Sequence, residues 1–237
     1  MKDQITTGLS ILGLTPPDNA DTVLAEYGRL LLEQNQVMNL TAITDPAQVA
    51  ALHFLDSAAL LTLPGISMAG KSLIDVGTGA GFPGLPLRIL EPTLHLTLLD
   101  SLGKRINWLA ALCEQLGVQG VTCLHARAEE QAFVSGFRDS FDFAVSRAVA
   151  SMGILCELCL PYVKVGGYFL AMKAMDCGEE VAAAVSAIRL LGGRLQPVLE
   201  YQIPGTDVRR RVIVVQKLFP TPAGYPRRWA KMQKAPL

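Results

Sequence analysis

Leu73-Ile-Asp-Val-Gly-Thr-Gly-Ala-Gly-Phe-Pro-Gly84 runs from an apolar strand into a glycine-rich turn and then into a helix. Asp75 stands just before the glycines, and Asp100 ends the next apolar run, Leu94-His-Leu-Thr-Leu-Leu-Asp100. Strand, open turn, helix, strand and terminal acid form the nucleotide-cofactor half-site of a doubly wound α/β sheet. Downstream of Gly70 the pattern repeats. Strands are predicted near 72–77, 94–100, 121–125, 141–146 and 167–173, with helices near 84–90, 103–117, 151–160 and 178–191. That alternation implies parallel strands joined by right-handed crossovers. Arg194 to Ile203 and Arg211 to Lys217 are strand-like and lack an intervening helix, which predicts a closing antiparallel hairpin.

Upstream the period is helical. Val23, Leu24, Tyr27, Leu30 and Leu31 recur at helical spacing, Pro16-Pro17-Asp18 marks a start, and a further helix is predicted from about Ala47 to Leu61. Leu63-Pro-Gly65 opens a loop. The chain therefore divides into an N-terminal helical region, 1–65, an α/β domain, 66–218, and a C-terminal tail, 219–237.

Composition sets the class. With 237 residues, 50% apolar and 18% charged, the chain can bury a substantial core, and it does not read as disordered. Its apolar runs fall well short of the ~18 residues that span a bilayer. Met1-Lys-Asp-Gln-Ile-Thr-Thr lacks a secretory pattern, and five cysteines without framework spacing suggest reduced thiols in a cytoplasmic protein. The net charge of zero hides an asymmetry: Val208 to Leu237 carries eight basic residues and no acid, leaving 13 basic against 21 acidic residues elsewhere. A basic end on an acidic body suits a local phosphate contact, although a solvated tail is the plainer reading.

Two templates compete for the glycine turn. Gly79, Gly81 and Gly84 satisfy the dinucleotide fingerprint, in which a pyrophosphate lies on the helix N-terminus. Asp75 would repel that anion. Shifted back, Asp75-Val-Gly77-Thr-Gly79-Ala-Gly81 is the acid-x-G-x-G-x-G pattern of S-adenosylmethionine enzymes. That ligand has no phosphate and ends in an ammonium and a sulfonium, so a carboxylate beside it is favourable. Asp100 suits either cofactor, because a carboxylate there accepts from a ribose diol. The plainer alternative is a tight turn with two capping acids.

At these residues the chain resembles the ribosomal RNA small subunit methyltransferase G family, also called glucose-inhibited division protein B. The likeness rests on Asp75 to Gly84, on Leu98-Leu-Asp-Ser-Leu-Gly-Lys-Arg105 and on Val145-Ser-Arg-Ala148, with His53-Phe-Leu-Asp-Ser57 and Asn39-Leu-Thr41 upstream. It covers about residues 25 to 217. The resemblance implies a class I Rossmann-like domain and S-adenosylmethionine-dependent methylation of a guanine N7 in the decoding-region loop of 16S rRNA, in the small ribosomal subunit. By matching motif, it puts cofactor contacts on Gly77, Phe82, Asp100, Ala128, Glu129 and Arg147; Asp75 and Gly79 join them from the charge argument and the glycine pattern. The chain departs from the family at Leu52, where Arg is frequent, and at Ala174, where Gly is usual.

The chemistry is compatible. Guanine N7 carries a lone pair and no proton, so alignment can supply the rate without a general base. Candidate substrate-positioning residues are His53, Arg147 and Lys173. Lys104 and Arg105 open a helix where its dipole disfavours cations, which suggests an anionic partner such as RNA; solvated side chains are the alternative. Arg209, Arg210 and Arg211 enter the last strand, Arg210 facing opposite to its neighbours, as RNA contacts or as an edge-strand charge guard. Arg147 also reads as a surface ion pair, and His53 with Asp56 as a helix-surface hydrogen bond. Cys156 and Cys159 form a single pair without partners, which favours packing over zinc. His95 and His125 sit in strand patterns and read as structural. No metal and no membrane are expected, and a monomer is. Two other functions remain open: a dinucleotide-dependent oxidoreductase, and a non-catalytic RNA- or ribosome-binding protein.

Overall fold

A computed structural model describes residues 1–147 and 149–237; Ala148, which ends one of the motifs above, lies outside the described residues. The sheet consists of β1 (Ser72–Val76), β2 (His95–Asp100), β3 (Val121–His125), β4 (Phe141–Arg147), β5 (Val163–Lys173), β6 (Gly193–Leu195), β7 (Leu199–Gln202) and β8 (Arg209–Lys217). Their spatial order is β3-β2-β1-β4-β5-β8-β6, with β7 also on β8. The first five pair in parallel, and β8 runs antiparallel to β5, β6 and β7. The order reverses between β1 and β4, the switch point where open sheets of this kind leave a crevice beyond their carboxyl ends. Asp75 sits one residue inside that edge, whereas Asp100 and Arg147 sit on it.

Alternation along the strands builds two cores. Leu73, Leu96, Leu98, Val145 and Leu170 face one side; Ile74, Val76, Leu99, Ala144 and Phe169 face the other. The first side is covered by α1 (Lys2–Ile11), α2 (Ala20–Met38), α3 (Pro46–Val49), α4 (Asp56–Ala58), α5 (Gly84–Leu90) and α6 (Gly103–Gln115). The second holds α7 (Ala128–Gln131), α8 (Met152–Cys159), α9 (Gly178–Ala183), α10 (Val185–Leu190) and α11 (Trp229–Lys234). Leu24, Tyr27, Leu31 and Phe54 are fully buried in the same cluster as Leu73, Leu85 and Leu109. Each such side chain contributes about 1.5–3 kcal/mol, so the N-terminal helices are fixed firmly against the sheet.

Three local departures from the predicted pattern bear on the site. The helix predicted over Ala47 to Leu61 is interrupted by a π-helical turn, Ala50–Leu55, which carries His53. Single π turns recur at functional positions because they re-aim one side chain. The helix predicted over 178–191 breaks at Ala184 into α9 and α10. The tail carries α11 and packs back on the second core, with Met232 fully buried. Among the described residues no helix is long and apolar enough to cross a membrane.

Candidate active site

The glycine turn is braced from beneath. Asp75 Oδ2 accepts from the Thr78 hydroxyl at 2.8 Å and from the Gly84 amide at 2.9 Å, so the carboxylate caps α5. Gly84 is required by this contact: a Cβ there would come within 2.8 Å of Asp75 Oδ2. Tyr27 on α2 donates its hydroxyl to the Ala80 carbonyl, latching the N-terminal helices to the same turn. Gly77 is strained for any other residue, with φ at +72° and a hypothetical Cβ 2.8 Å from Val149. Asp75 Oδ1 has no hydrogen-bond partner among the described residues and the side chain is fully buried; burial pushes its pKa up to about 6 against the lowering effect of the Thr78 and Gly84 bonds.

Above the turn the crevice is a chain of three adjoining cavities. One of about 300 Å³ is lined by Gly77, Asp100, Ala128 and Glu129, with Val76, Leu99, Leu158 and Trp229 as apolar walls. A second, of about 520 Å³, shares Gly77 and Asp100 and adds Thr41, His53, Gly79, Phe82, Arg105 and Arg147. The third, of about 420 Å³, shares His53 and Arg147 and adds Asp56, Met172, Lys173, Ala174 and Arg210. These volumes fall in the ~300–1,000 Å³ range of small-molecule sites. Asp100, 5% exposed, stands where the first two meet. Its oxygens accept from the Gly79 amide at 3.0 Å and the Leu102 amide at 2.8 Å, which fixes the carboxylate while leaving lone pairs toward the crevice.

A polar network joins the second and third cavities. Arg147 Nη1 donates to Asp56 Oδ2 at 2.9 Å and to the Leu52 carbonyl at 3.1 Å, and Nη2 donates to His53 Nδ1 at 3.0 Å. A guanidinium can only donate, so His53 Nδ1 is the acceptor and its proton sits on Nε2, directed at Thr41 Oγ1, 2.8 Å away. Burial first, and the neighbouring Arg147 second, push the His53 pKa down to about 3, so the ring is neutral. His53 stacks on Phe82 at 4.5 Å, Tyr27 stacks on the same ring at 5.2 Å, and the Arg147 guanidinium lies 5.1 Å from its centroid. Tyr201 on β7 closes the network, donating to Asp56 Oδ1 at 2.6 Å.

Gly77, Gly79, Phe82, Asp100, Ala128, Glu129 and Arg147 all line this crevice, as do His53, Lys173 and Arg105. Asp75 does not. The expectation that its carboxylate faces a cationic ligand is corrected: its side chain lies beneath the turn, lines neither of the cavities beside it and acts by capping α5. Lys104 is exposed and lines none of the three cavities. Lys173 reaches into the third but is engaged by Glu180 at 2.7 Å and the Ala150 carbonyl at 2.8 Å. Arg209 and Arg211 both pair with Glu200, at 2.7 and 2.8 Å, whereas Arg210 points the other way into the third cavity and has no ion pair among the described residues. Cys156 and Cys159 are buried in the second core. Thr41 stood in a motif quoted above and Tyr27 in the apolar repeat of a predicted helix, which gave no sign of its bond to the glycine turn; Tyr201, Val149 and Trp229 carried no local signal and are brought in by tertiary packing.

A model of the family described as rRNA small subunit methyltransferase G matches residues 21–209. The chain belongs to that family. Relatives named ribosomal RNA small subunit methyltransferase G include one from Clostridium beijerinckii, 45% identical over 90% of this chain and 88% of that protein. Another, from Lachnoclostridium phytofermentans, is 45% identical over 100% of this chain and 98% of its own. Among solved structures, a SAM-dependent methyltransferase from Aquifex aeolicus superposes with a TM-score of 0.54 at 19% identity, covering 75% of this chain and 96% of that one. A precorrin-6y C5,15-methyltransferase from Geobacter metallireducens gives 0.50 at 14% identity, over 68% and 87%. At these identities the structures support the class I fold, and membership of the methyltransferase G family rests on the sequence matches.

Proposed function

We propose that this chain transfers a methyl group from S-adenosylmethionine to N7 of a guanine in the decoding-region loop of 16S rRNA, as part of the small ribosomal subunit. The single observation that carries the reading is the Asp100-centred crevice in a member of this family, with Glu129 on one side and the His53–Phe82–Arg147 cluster on the other. The residues fit the cofactor. Asp100 would accept from the ribose hydroxyls, Ala128 and Glu129 would meet the adenine edge, and Gly77 and Gly79 would line the span between. Phe82 and Arg147 would hold the far end. When bound, the cofactor supplies an electrophilic methyl group. Among the parts of the chain, 66–218 would hold the cofactor and 1–65 would shape the RNA-facing wall, in a cytoplasmic monomer.

The third cavity suits the base. Its lining has three cations, Arg210, Lys173 and Arg147, against one acid, Asp56, and Met172 and Leu52 add apolar surface; Arg147 is paired with Asp56 and Lys173 with Glu180, which leaves Arg210 for the RNA. His53 is neutral with both nitrogens engaged, so it is a positioning residue and no proton transfer runs through it. Arg210, without an ion pair among the described residues, is the strongest candidate for phosphate contact; Arg105, 3.5 Å from Asp100, and Lys104, Arg209 and Arg211 are further candidates, and binding through them would weaken with salt. A dinucleotide is disfavoured, because the α5 N-terminus on which a pyrophosphate would rest is already capped by Asp75 at 2.9 Å. Calorimetry tests the cofactor directly. S-adenosylmethionine should bind one to one and NAD should not; NAD binding without S-adenosylmethionine binding overturns the reading.

A further inference from the structure

The cavity on the Glu129 side of Asp100 is lined in part by a residue from outside the stretch that the family model matches. Trp229 opens α11, twenty residues beyond the end of that match at 209, and the half-buried residue lines the 300 Å³ cavity together with Ala126 to Glu129. The other large walls, Val76, Leu99, Val149 and Leu158, are apolar, and the polar side chains among the lining residues are those of Asp100, Ser101, Arg127 and Glu129, with Arg127 3.7 Å from Glu129. A cavity that combines apolar walls with a few polar side chains suits adenine, which is apolar on both faces and polar around its perimeter. An indole supplies such a face with few rotamers to freeze.

The segment carrying Trp229 is tied to the cavity by a built clamp. Glu157 on α8 is fully buried and accepts from Arg227 three ways: from the backbone amide at 2.7 Å, Nε at 2.8 Å and Nη2 at 2.7 Å. The next residue of α8, Leu158, faces the cavity, so one helix holds both the wall and the clamp. Arg138 adds a second tie, donating to the carbonyls of Thr221 at 2.8 Å and Tyr225 at 2.9 Å. Burying a carboxylate to hold an arginine two residues from Trp229 is costly unless its geometry is well paired, as here.

We propose that Trp229 is the aromatic wall of the adenine pocket and that the Glu157–Arg227 pair is the positioning device that holds it there. The inference rests on the S-adenosylmethionine reading above, and its test separates the two. The chain has two tryptophans, so Trp108→Phe leaves Trp229 as the sole indole reporter. In that full-length protein, S-adenosylhomocysteine should change the emission saturably, with the midpoint given by calorimetry. Trp229→Leu should weaken both S-adenosylhomocysteine and 5′-methylthioadenosine about tenfold, the effect of losing one base-stacking partner. Trp229→Phe should recover most of that loss. Arg227→Met should weaken both ligands in the same ratio, because the wall is displaced and not removed. Unchanged affinity in a folded Trp229→Leu protein overturns the proposal and leaves the cofactor reading intact. So does binding by calorimetry without an emission change in Trp108→Phe, which decides the matter if Trp229→Leu does not fold. Absence of binding in the unaltered protein overturns both.

Discussion

Replacing Arg147 by methionine removes the cation from a network that joins the N-terminal helices, the glycine turn and the closing hairpin. Arg147 makes three hydrogen bonds there, to Asp56, Leu52 and His53, and its side chain is 16% exposed against 3% for that of Asp56. After the change Asp56 keeps, among the described residues, the Tyr201 hydroxyl alone, at 2.6 Å. Leaving a buried carboxylate without its cation costs roughly 3–5 kcal/mol. The contact with the Phe82 face adds about 0.5–1 kcal/mol, and the methionine side chain keeps part of the packing. Urea unfolding at pH 7.5 should therefore show a loss of about 3–5 kcal/mol for Arg147→Met. Arg147→Met with Asp56→Asn should lose only about 1–2 kcal/mol, because the amide keeps an acceptor for Tyr201 and carries no charge. The double-mutant coupling should be at least ~2 kcal/mol. A single-variant loss under ~1 kcal/mol, or additivity in the double variant, would refute the claim that this pair organises the site.

Other outcomes follow from the same geometry. His53 has a folded pKa of about 3 against an ordinary 6.5, so its contribution is intact above pH 6.5 and is lost as pH falls toward 3, by up to ~1.4 kcal/mol per unit. Asp75 works oppositely: its pKa is about 6 against 3.8, so its contribution is complete below pH 3.8 and is lost as pH rises through 6. Stability measured from pH 7 to 4 should accordingly fall more steeply in Asp75→Asn than in the unaltered protein and less steeply in His53→Gln; parallel curves would contradict both. Asp100→Ala should weaken S-adenosylmethionine by about 100-fold in calorimetry, since two charge-assisted hydrogen bonds to the ribose are lost. Arg210→Ala should lower the salt slope of 16S rRNA binding by about 1, and Arg209→Ala, already paired with Glu200, should lower it less; equal slopes would place the RNA elsewhere.

Much of this was legible in the chain itself. The period-2 runs and the helical repeats set the parallel order and the antiparallel close, because both faces of this sheet are buried and the pattern has little freedom. Gly77 and Asp100 were readable because strand ends bring sequence-local groups to one edge, whereas Ala128 and Glu129 came from the family motif and line the same edge after β3. Asp75 misled for a physical reason: a carboxylate one residue inside the strand end points with Leu73 toward the first core, where the free amide of Gly84 claims it. Strand alternation correctly separated Arg210 from its neighbours, but not which side held Glu200. Trp229 reaches the crevice, and Tyr27 and Tyr201 brace its lining at Ala80 and Asp56, from positions far along the chain, and nothing in local spacing encodes those contacts. The basic tail looked like a solvated end because its charges are visible in sequence, whereas the buried Glu157 that receives Arg227 is not.

The central claim is methyl transfer to one guanine. Small subunits from cells lacking this protein, incubated with it and methyl-labelled S-adenosylmethionine, should take up about one methyl group each. Reduction and aniline cleavage of the 16S rRNA should then cut at a single guanine in the decoding-region loop, the signature of N7 methylation. Cofactor binding without methyl incorporation, or label on any atom other than a guanine N7, would contradict the account.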